Sequence, residues 1–379
     1  MKYLLFLFLF FWSFAAFAQT EFYMLLGTYT SGTSEGVYVY KFNSENGESL
    51  PVGFVKSSNP SFLAVSPDEK YVFAVNENAD STGNGGRISS FLFNNNTGAL
   101  SLINQQSSNG NHPCYVTVDK TGKWVITGNY SSGTISVLPV LKNGYVETAV
   151  STIQHTGQSV NTDRQNSPHV HAAVLSPDNK FIFVPDLGID KLMTYHFDKL
   201  TGALRETSPA FVMTKPGSGP RHFEFHPNKK FAYLVEELTG GVSAYRYKAK
   251  NGQLHLVQNI STLPPQFLGF AGSADIHVSP DGKFLYASNR GESNSIAIFV
   301  INNKTGMLTS VGHQSTLGKT PRNFNFDPSG NFLLVANQNS DEIVIFKIDK
   351  ETGLLTDTGK RITVSKPVCI KWIKKKAAK

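Results

Sequence analysis

Four charged side chains, His171, Arg221, Glu237 and Arg290, stand at places where other copies of an internal repeat carry Ser, Cys, Tyr, Leu or Ala. An imidazole or a carboxylate can act as a general base, and a guanidinium pairs bidentately with carboxylate, phosphate or a developing oxyanion. Buried charges persist only when they are paired or used, so the set is either a catalytic constellation or a salt-bridge network bracing the interior. A polar run, residues 155–171, ends on His171 and carries Arg164 and His169; it reads as a binding lip. His169 and His171 alternate and could share a strand face as metal ligands, with Asp186 or Glu237 in support. The guanidiniums nearby would oppose a cation, and no Cys or third His has ligand spacing. Phosphate loops, dinucleotide fingerprints and Gly-x-Ser-x-Gly elbows are missing, so neither metal nor cofactor is expected.

The elements that must position these residues are set by the repeat. The phrase Val65-Ser66-Pro67-Asp68-Glu69-Lys70-Tyr71 returns as Leu175-Ser176-Pro177-Asp178, Phe225-His226-Pro227-Asn228, Val278-Ser279-Pro280-Asp281 and Phe326-Asp327-Pro328-Ser329. A degenerate copy, Val118-Asp119-Lys120-Thr121-Gly122, lacks the proline. Each copy is a short apolar strand, a turn in which proline presets φ, and a second strand of alternating aromatic and aliphatic residues. A third and a fourth strand follow, and four antiparallel strands in about fifty residues make a propeller blade. Six copies of the turn imply seven blades. Glu21 to Gly27, Gly36 to Phe42 and Leu50 to Val55 supply three strands of one more sheet, whose missing inner strand is residues 367–372. The fold class is therefore all-β, a seven-bladed β-propeller spanning residues 19–373, its last blade closed by both chain ends.

Inner strands line the channel of a propeller, and the turn proline indexes them. Six residues upstream stand Ser61, Cys114 (by alignment), His171, Arg221, Ala274 and Arg322. His222 and Asp275 lie five upstream, Glu224 and His277 three upstream. Ten downstream stand Glu77, Tyr130, Leu187, Glu237, Arg290 and Gln338. The residue before each of these, Asn76, Asn129, Asp186, Glu236, Asn289 and Asn337, forms a polar cap expected to bond nearby backbone.

Residues 1–18 combine Lys2, an apolar run and Ala16-Phe17-Ala18, which reads as a cleaved secretory signal peptide. Export is expected, to the periplasm or beyond, with no stable membrane insertion afterwards. The formal charge of +7 falls to +2 once Lys2 and Lys374, Lys375, Lys376 and Lys379 of a basic tail (374–379), expected to be solvated and frayed, are set aside. A nearly neutral body without a clustered basic face argues against a nucleic-acid partner. Cys114 and Cys369 fall on blades two positions apart, beyond disulfide reach, so two free, buried thiols are expected.

At Gly27-Thr28-Tyr29-Thr30, Arg164-Gln165, Pro168-His169-Val170-His171, Asp186-Leu187-Gly188, Gly219-Pro220-Arg221-His222-Phe223, Glu237-Leu238, Ala274-Asp275-Ile276-His277, Ser288-Asn289-Arg290-Gly291 and Pro321-Arg322-Asn323-Phe324, the sequence resembles the lactonase family of seven-bladed propellers. That family includes the propeller type of 6-phosphogluconolactonase and the fungal 3-carboxy-cis,cis-muconate cyclase. The resemblance covers essentially the whole mature chain. It implies that the His, Arg, Glu and Arg proposed as the cyclase branch's active site fall on His171, Arg221, Glu237 and Arg290. One departure is Glu236, where the 6-phosphogluconolactonase branch usually has Asn; which of Glu236 and Glu237 faces the channel is left open. Metal-independent opening of a sugar lactone, 6-phosphorylated or not, is the implied activity, with His171 or Glu237 as the base. Arg164, His169, His222, Asp275, His277 and Arg322 would complete the substrate pocket. The rivals are cycloisomerisation of a muconate-type diacid and a propeller that binds a ligand without chemistry.

Overall fold

The structure is a computed structural model that describes residues 20–376; the expected signal peptide, residues 1–18, and the last three residues of the tail lie outside the described residues. The described chain forms seven four-stranded antiparallel sheets and no helix. The repeated turn explains why each strand pair forms. In the copy at Ser279, its hydroxyl accepts from Phe284 N (3.0 Å) and donates to Asp281 Oδ1 (2.6 Å), so the turn's own side chains satisfy its backbone. In the proline-free copy Asp119 does this alone, accepting from Lys123 N at 2.9 Å and Trp124 N at 3.0 Å.

Alternation then stacks the blades. Second strands such as Phe284–Asn289 are buried along their whole length, while outer strands such as Leu308–Ser315 expose most of theirs. Phe231, Tyr233 and Val235 of one blade pack on Ile276, Leu285 and Phe299 of the next. Fully burying a side chain of this size stabilises the fold by about 1.5–3 kcal/mol.

The ring closes as the repeat requires. Pro367–Lys374 pairs antiparallel with Glu21–Thr28, from Phe22↔Lys374 to Thr28↔Pro367. The strand runs one residue past the expected boundary, and the start of the tail is not frayed. Asn95 Nδ2 donates to Lys374 O (2.7 Å), Lys376 N donates to Asn95 Oδ1 (2.8 Å), and Lys375 pairs with Glu21. Cys114 and Cys369 are free and buried, with one blade between theirs.

The feature that positions the site is a break in register as each inner strand begins. Pairing jumps from Pro113↔Asn129 to Tyr115↔Gly128, from Pro220↔Glu236 to His222↔Val235, and from Pro321↔Asn337 to Asn323↔Ala336. Cys114, Arg221 and Arg322 are the extra residues, and Val368 is skipped likewise in the closing blade. Such bulges re-aim a side chain. Just before each bulge a carbonyl, that of Lys366, Asn59, His112, His169, Gly219, Gly272 or Thr320, accepts from the backbone N–H of Tyr29, Glu77, Tyr130, Leu187, Glu237, Arg290 or Gln338 respectively. Six of those seven acceptor residues, all but His169, have positive φ.

The fourth blade departs from expectation. Its lip was expected to end on an inner strand, yet regular pairing there covers only Val174–Leu175, with an isolated bridge at Val170↔Asp186. The Asp186 side chain takes the place of the ladder, accepting from His169 N at 2.7 Å.

Gly27 sits where the closing blade meets its neighbour, and a Cβ there would lie 2.4 Å from Pro60 O and 3.1 Å from Cys369 Cβ. Gly27→Ala is expected to destabilise the fold by about 1–3 kcal/mol, an overpacking cost. It should appear as a lower urea midpoint with an unchanged slope.

Candidate active site

Two tiers of side chains converge on the axis. The bulge residues Ser61, Cys114, His171, Arg221, Arg322 and Val368, with His222 and Asn323, enclose a narrow neck with a void of about 10 Å³. Above it lies a cavity of about 180 Å³ lined by Tyr29, Glu77, Cys114, Tyr130, Arg164, His171, Glu237, Arg290 and Arg322. Tyr29, Glu77, Tyr130, Glu237 and Arg290 are the residues whose N–H groups close the backbone bond after each second strand. The expected residues His171, Glu237, Arg290, Arg164 and Arg322 thus meet in one cavity, with Arg221 directly below.

Glu237 is the electrostatic centre. Arg164 Nη2 donates to its Oε1 at 2.7 Å, and Arg221 Nε (2.8 Å) and Arg290 Nη2 (2.9 Å) reach its Oε2. Burial opposes ionisation, but Arg290, Arg221 and Arg164 outweigh it and hold the carboxyl well below the usual carboxylate range. Arg221 is 1% exposed; burial, with Arg290 and Arg322 beside it, lowers its pKa to about 10, still charged at neutral pH. Arg221 also donates to Ala274 O, and Arg290 Nε to Gly272 O (2.8 Å). Glu236 faces away from the channel, accepting from Ser243 Oγ at 2.6 Å, and burial raises its pKa. Of the two carboxylates, Glu237 faces the cavity.

His171 is buried against Cys114, whose Sγ lies 3.7 Å from Nδ1. Burial and then the positive charge of Arg221 push its pKa well below the ordinary histidine value, so the imidazole is neutral. Burial raises the Cys114 thiol, which stays protonated. On the opposite wall Tyr29 donates to Glu77 Oε2 (2.9 Å), Ser61 donates to the same oxygen, and Arg322 lies over the Tyr29 ring at 5.4 Å. Tyr29, Glu77 and Tyr130 were not anticipated as site residues. Glu77 and Tyr130 share the repeat column of Glu237 and Arg290, and that column was the signal available.

The other expected pocket residues sit elsewhere. His169 stacks on Tyr130 (centroids 4.4 Å) with Nδ1 at 3.1 Å from Tyr130 O, and therefore shapes the wall without converging with His171 on a shared point. His222, Asp275 and His277 form a tier below the cavity. Asp275 Oδ1 accepts from His222 Nδ1 (2.7 Å), its Oδ2 from His277 Nε2 (3.2 Å), and His277 Nδ1 donates to Glu224. Although burial disfavours its charge, His277 between Asp275 and Glu224 is raised to about 10. Five of the six polar caps bond nearby backbone as expected: Asn76, Asn129, Asn289 and Asn337 donate to the carbonyls of Ser58, Ser108, Thr262 and Thr316, and Asp186 accepts from His169 N and Gly188 N, whereas Glu236 accepts from the hydroxyls of Ser243 and Thr239.

The model of a family described as lactonase, 7-bladed beta-propeller, matches residues 23–372. A 6-phosphogluconolactonase of Bacillus subtilis is 38% identical over 357 residues, covering 94% of this chain and 99% of that protein. The solved structure of a putative 6-phosphogluconolactonase from Bacteroides fragilis superposes with a TM-score of 0.89 at 41% identity, covering 94% of this chain and 99% of that one. A periplasmic gluconolactonase of Pseudomonas aeruginosa superposes at 0.88 with 37% identity, covering 93% and 99%.

Because its folded pKa is depressed, Glu237 contributes stability that is fully present above the unfolded carboxyl value and fades as pH falls through the folded value. Glu237→Gln should therefore be less stable than the parent at pH 7. The gap should narrow below about pH 4.3, the unfolded value, in denaturant midpoints collected from pH 3 to 8.

Proposed function

The chain belongs to the lactonase family of seven-bladed β-propellers, and on that premise we propose that it is a carboxylic ester hydrolase opening a sugar δ-lactone to the aldonic acid without a metal ion. The observation that carries this is a buried neutral imidazole, His171, sharing one cavity with Arg164, Arg290 and Arg322. All of Glu237's short contacts are to guanidiniums, so its role is to hold those cations, and His171 is the base. His171 takes a proton from a water as its oxygen attacks the lactone carbonyl carbon, and the carbonyl π electrons move onto oxygen. The guanidiniums stabilise that oxyanion. Collapse of the intermediate breaks the bond to the ring oxygen, and His171 returns the proton to the departing alkoxide.

Four guanidiniums (Arg164, Arg221, Arg290, Arg322) face two carboxylates (Glu77, Glu237) around the cavity and its neck, which favours an anionic substrate or product. Arg322 makes no ion pair with a carboxylate among the described residues and is the cation open to a ligand. The 6-phosphate of gluconolactone suits that charge and the name of the Bacillus relative. Unphosphorylated gluconolactone suits the export signal expected in residues 1–18 and the name of the Pseudomonas structure. The same excess of cations would also suit a muconate-type diacid, the second reading.

Turnover of gluconolactone, its 6-phosphate and carboxymuconate separates these readings; lactone opening with no cycloisomerisation is expected. Arg322→Met should lower kcat/KM on the preferred lactone about 10- to 100-fold, the scale of one lost charge-assisted bond. Full activity in Arg322→Met and in His171→Gln would remove both assignments.

A further inference from the structure

The tier below the cavity has a fixed hydrogen-bond polarity. Asp275 is 2% exposed and receives five donors: His222 Nδ1, His277 Nε2, Asn323 Nδ2, and the backbone N–H groups of Ile276 (3.0 Å) and Phe324 (3.4 Å). His277 has a carboxylate on each ring nitrogen, so both nitrogens carry protons and neither can pass Asp275 a lone pair. Asp275 is therefore an acceptor throughout, and His222 must present Nδ1–H to it. That choice leaves His222 Nε2 as a lone pair.

His222 is 6% exposed, and its Nε2 is buried without a hydrogen-bond partner among the described residues. The ring borders the void of about 10 Å³ at the channel neck, whose other polar walls include His171, Arg221, Arg322 and Ser61. The rings of His171 and His222 lie edge to face, centroids 5.4 Å apart. A void of that size is about the minimum for one water, and a polar site with several partners is where buried water is found. Leaving the buried acceptor unmade would cost about 1–3 kcal/mol.

We infer that one water occupies the neck, donates to His222 Nε2 and accepts the N–H of His171, so that His222 and Asp275 are positioning residues that set the tautomer of the imidazole above them. Asp275 fixes His222, His222 fixes the water's orientation, and the water's lone pair selects which His171 nitrogen is protonated. The other His171 nitrogen is left as the base. Arg221, Arg322, Cys114, Tyr130 and His222 lie against His171; Glu77 and Glu237 share its cavity, but among the described residues no carboxylate comes within ion-pair distance of its ring. His171 has no carboxylate of its own to orient it, which is the task the water performs. The inference rests on His171 being the base. His171→Gln tests that premise separately, whereas the His222 tautomer and the water can be read without any turnover.

In the unmodified protein, a high-resolution crystal structure should show a water about 2.7–3.2 Å from His222 Nε2. Histidine ¹⁵N shifts at neutral pH should show Nδ1 protonated and Nε2 bare on His222, with a single tautomer on His171. His222→Phe retains a ring against Phe62 and Tyr115 and removes the acceptor. It should lower kcat about 10- to 100-fold, the usual scale for an orienting partner, leave KM within about twofold, and mix the His171 tautomers. A neck without water, a protonated Nε2 on His222, or a loss carried by KM instead of kcat would each overturn the inference.

Discussion

Each blade must add one residue before its inner strand can begin, in six of the seven through a left-handed turn, and the rest of the structure depends on that step. The seven bonds from the carbonyls before the inner strands to the N–H groups after the second strands fix it in backbone, independent of side chain. It therefore survives Asn59, His112, Thr320 and Lys366 at positive φ, a conformation costing roughly 1–2 kcal/mol for a residue with a Cβ. The return on that strain is geometric. Six blades deliver a side chain from the start of the inner strand to the neck and five deliver a second side chain to the cavity, so backbones of one design present different residues to one axis.

The charges on that axis form a brace, one of the two possibilities the sequence left open, and in the proposed reaction they serve as the constellation too. Glu237 holds Arg164, Arg221 and Arg290, three cations from the lip, the neck and the cavity wall that would otherwise repel one another in a buried space. Buried ion pairs are poor stabilisers, because desolvation offsets most of the attraction. What this one achieves is placement: guanidiniums are kept charged and close together beside a neutral imidazole. The same clamp is why the proposed reaction does not use Glu237 as the base: its oxygens are occupied by donors and its proton affinity is low. Spacing does not separate His171 from Glu237; what each touches is what the proposed assignment of His171 as the base rests on.

How far the sequence could be read follows from the bulge. Blade number, closure by the segment read as residues 367–372, and the convergence of His171, Arg221, Glu237, Arg290 and Arg322 were legible because the turn proline indexes the inner positions at constant offsets and the closing segment matches the other inner strands. Tyr29 was invisible to that index, since its blade is split between the chain ends and has no turn proline upstream. Glu77 and Tyr130 are on the index, but the index singles out only charges that break the repeat's pattern, and a wall of a cavity need not break it. Five residues upstream of the turn proline, on strands that line the channel, His222 and Asp275 read as pocket residues. A bulge changes which side successive residues face, so one position along the strand drops the side chain a full tier, below the cavity instead of into it. No spacing rule carries that information; the register does.

The polar-cap column shows how one backbone role can acquire a second. In four blades an Asn amide donates to a loop carbonyl. In the fourth blade the residue is Asp186, and a carboxylate can gather several donors where an amide must also give. Asp186 accepts from His169 N (2.7 Å) and Gly188 N (3.0 Å), and its Oδ2 lies 2.7 Å from His155 Nδ1. His155 and His169 flank the lip that carries Arg164, so one side chain ties down both ends of a loop of about fifteen residues. Gly188 lets the lip close on it, because a Cβ there would come within 1.8 Å of Ser167 O. With its ends pinned, the lip loses the freedom that would otherwise be spent each time Arg164 reached for Glu237. The polarity of a cap thus determines whether the third guanidinium is in place before a substrate arrives.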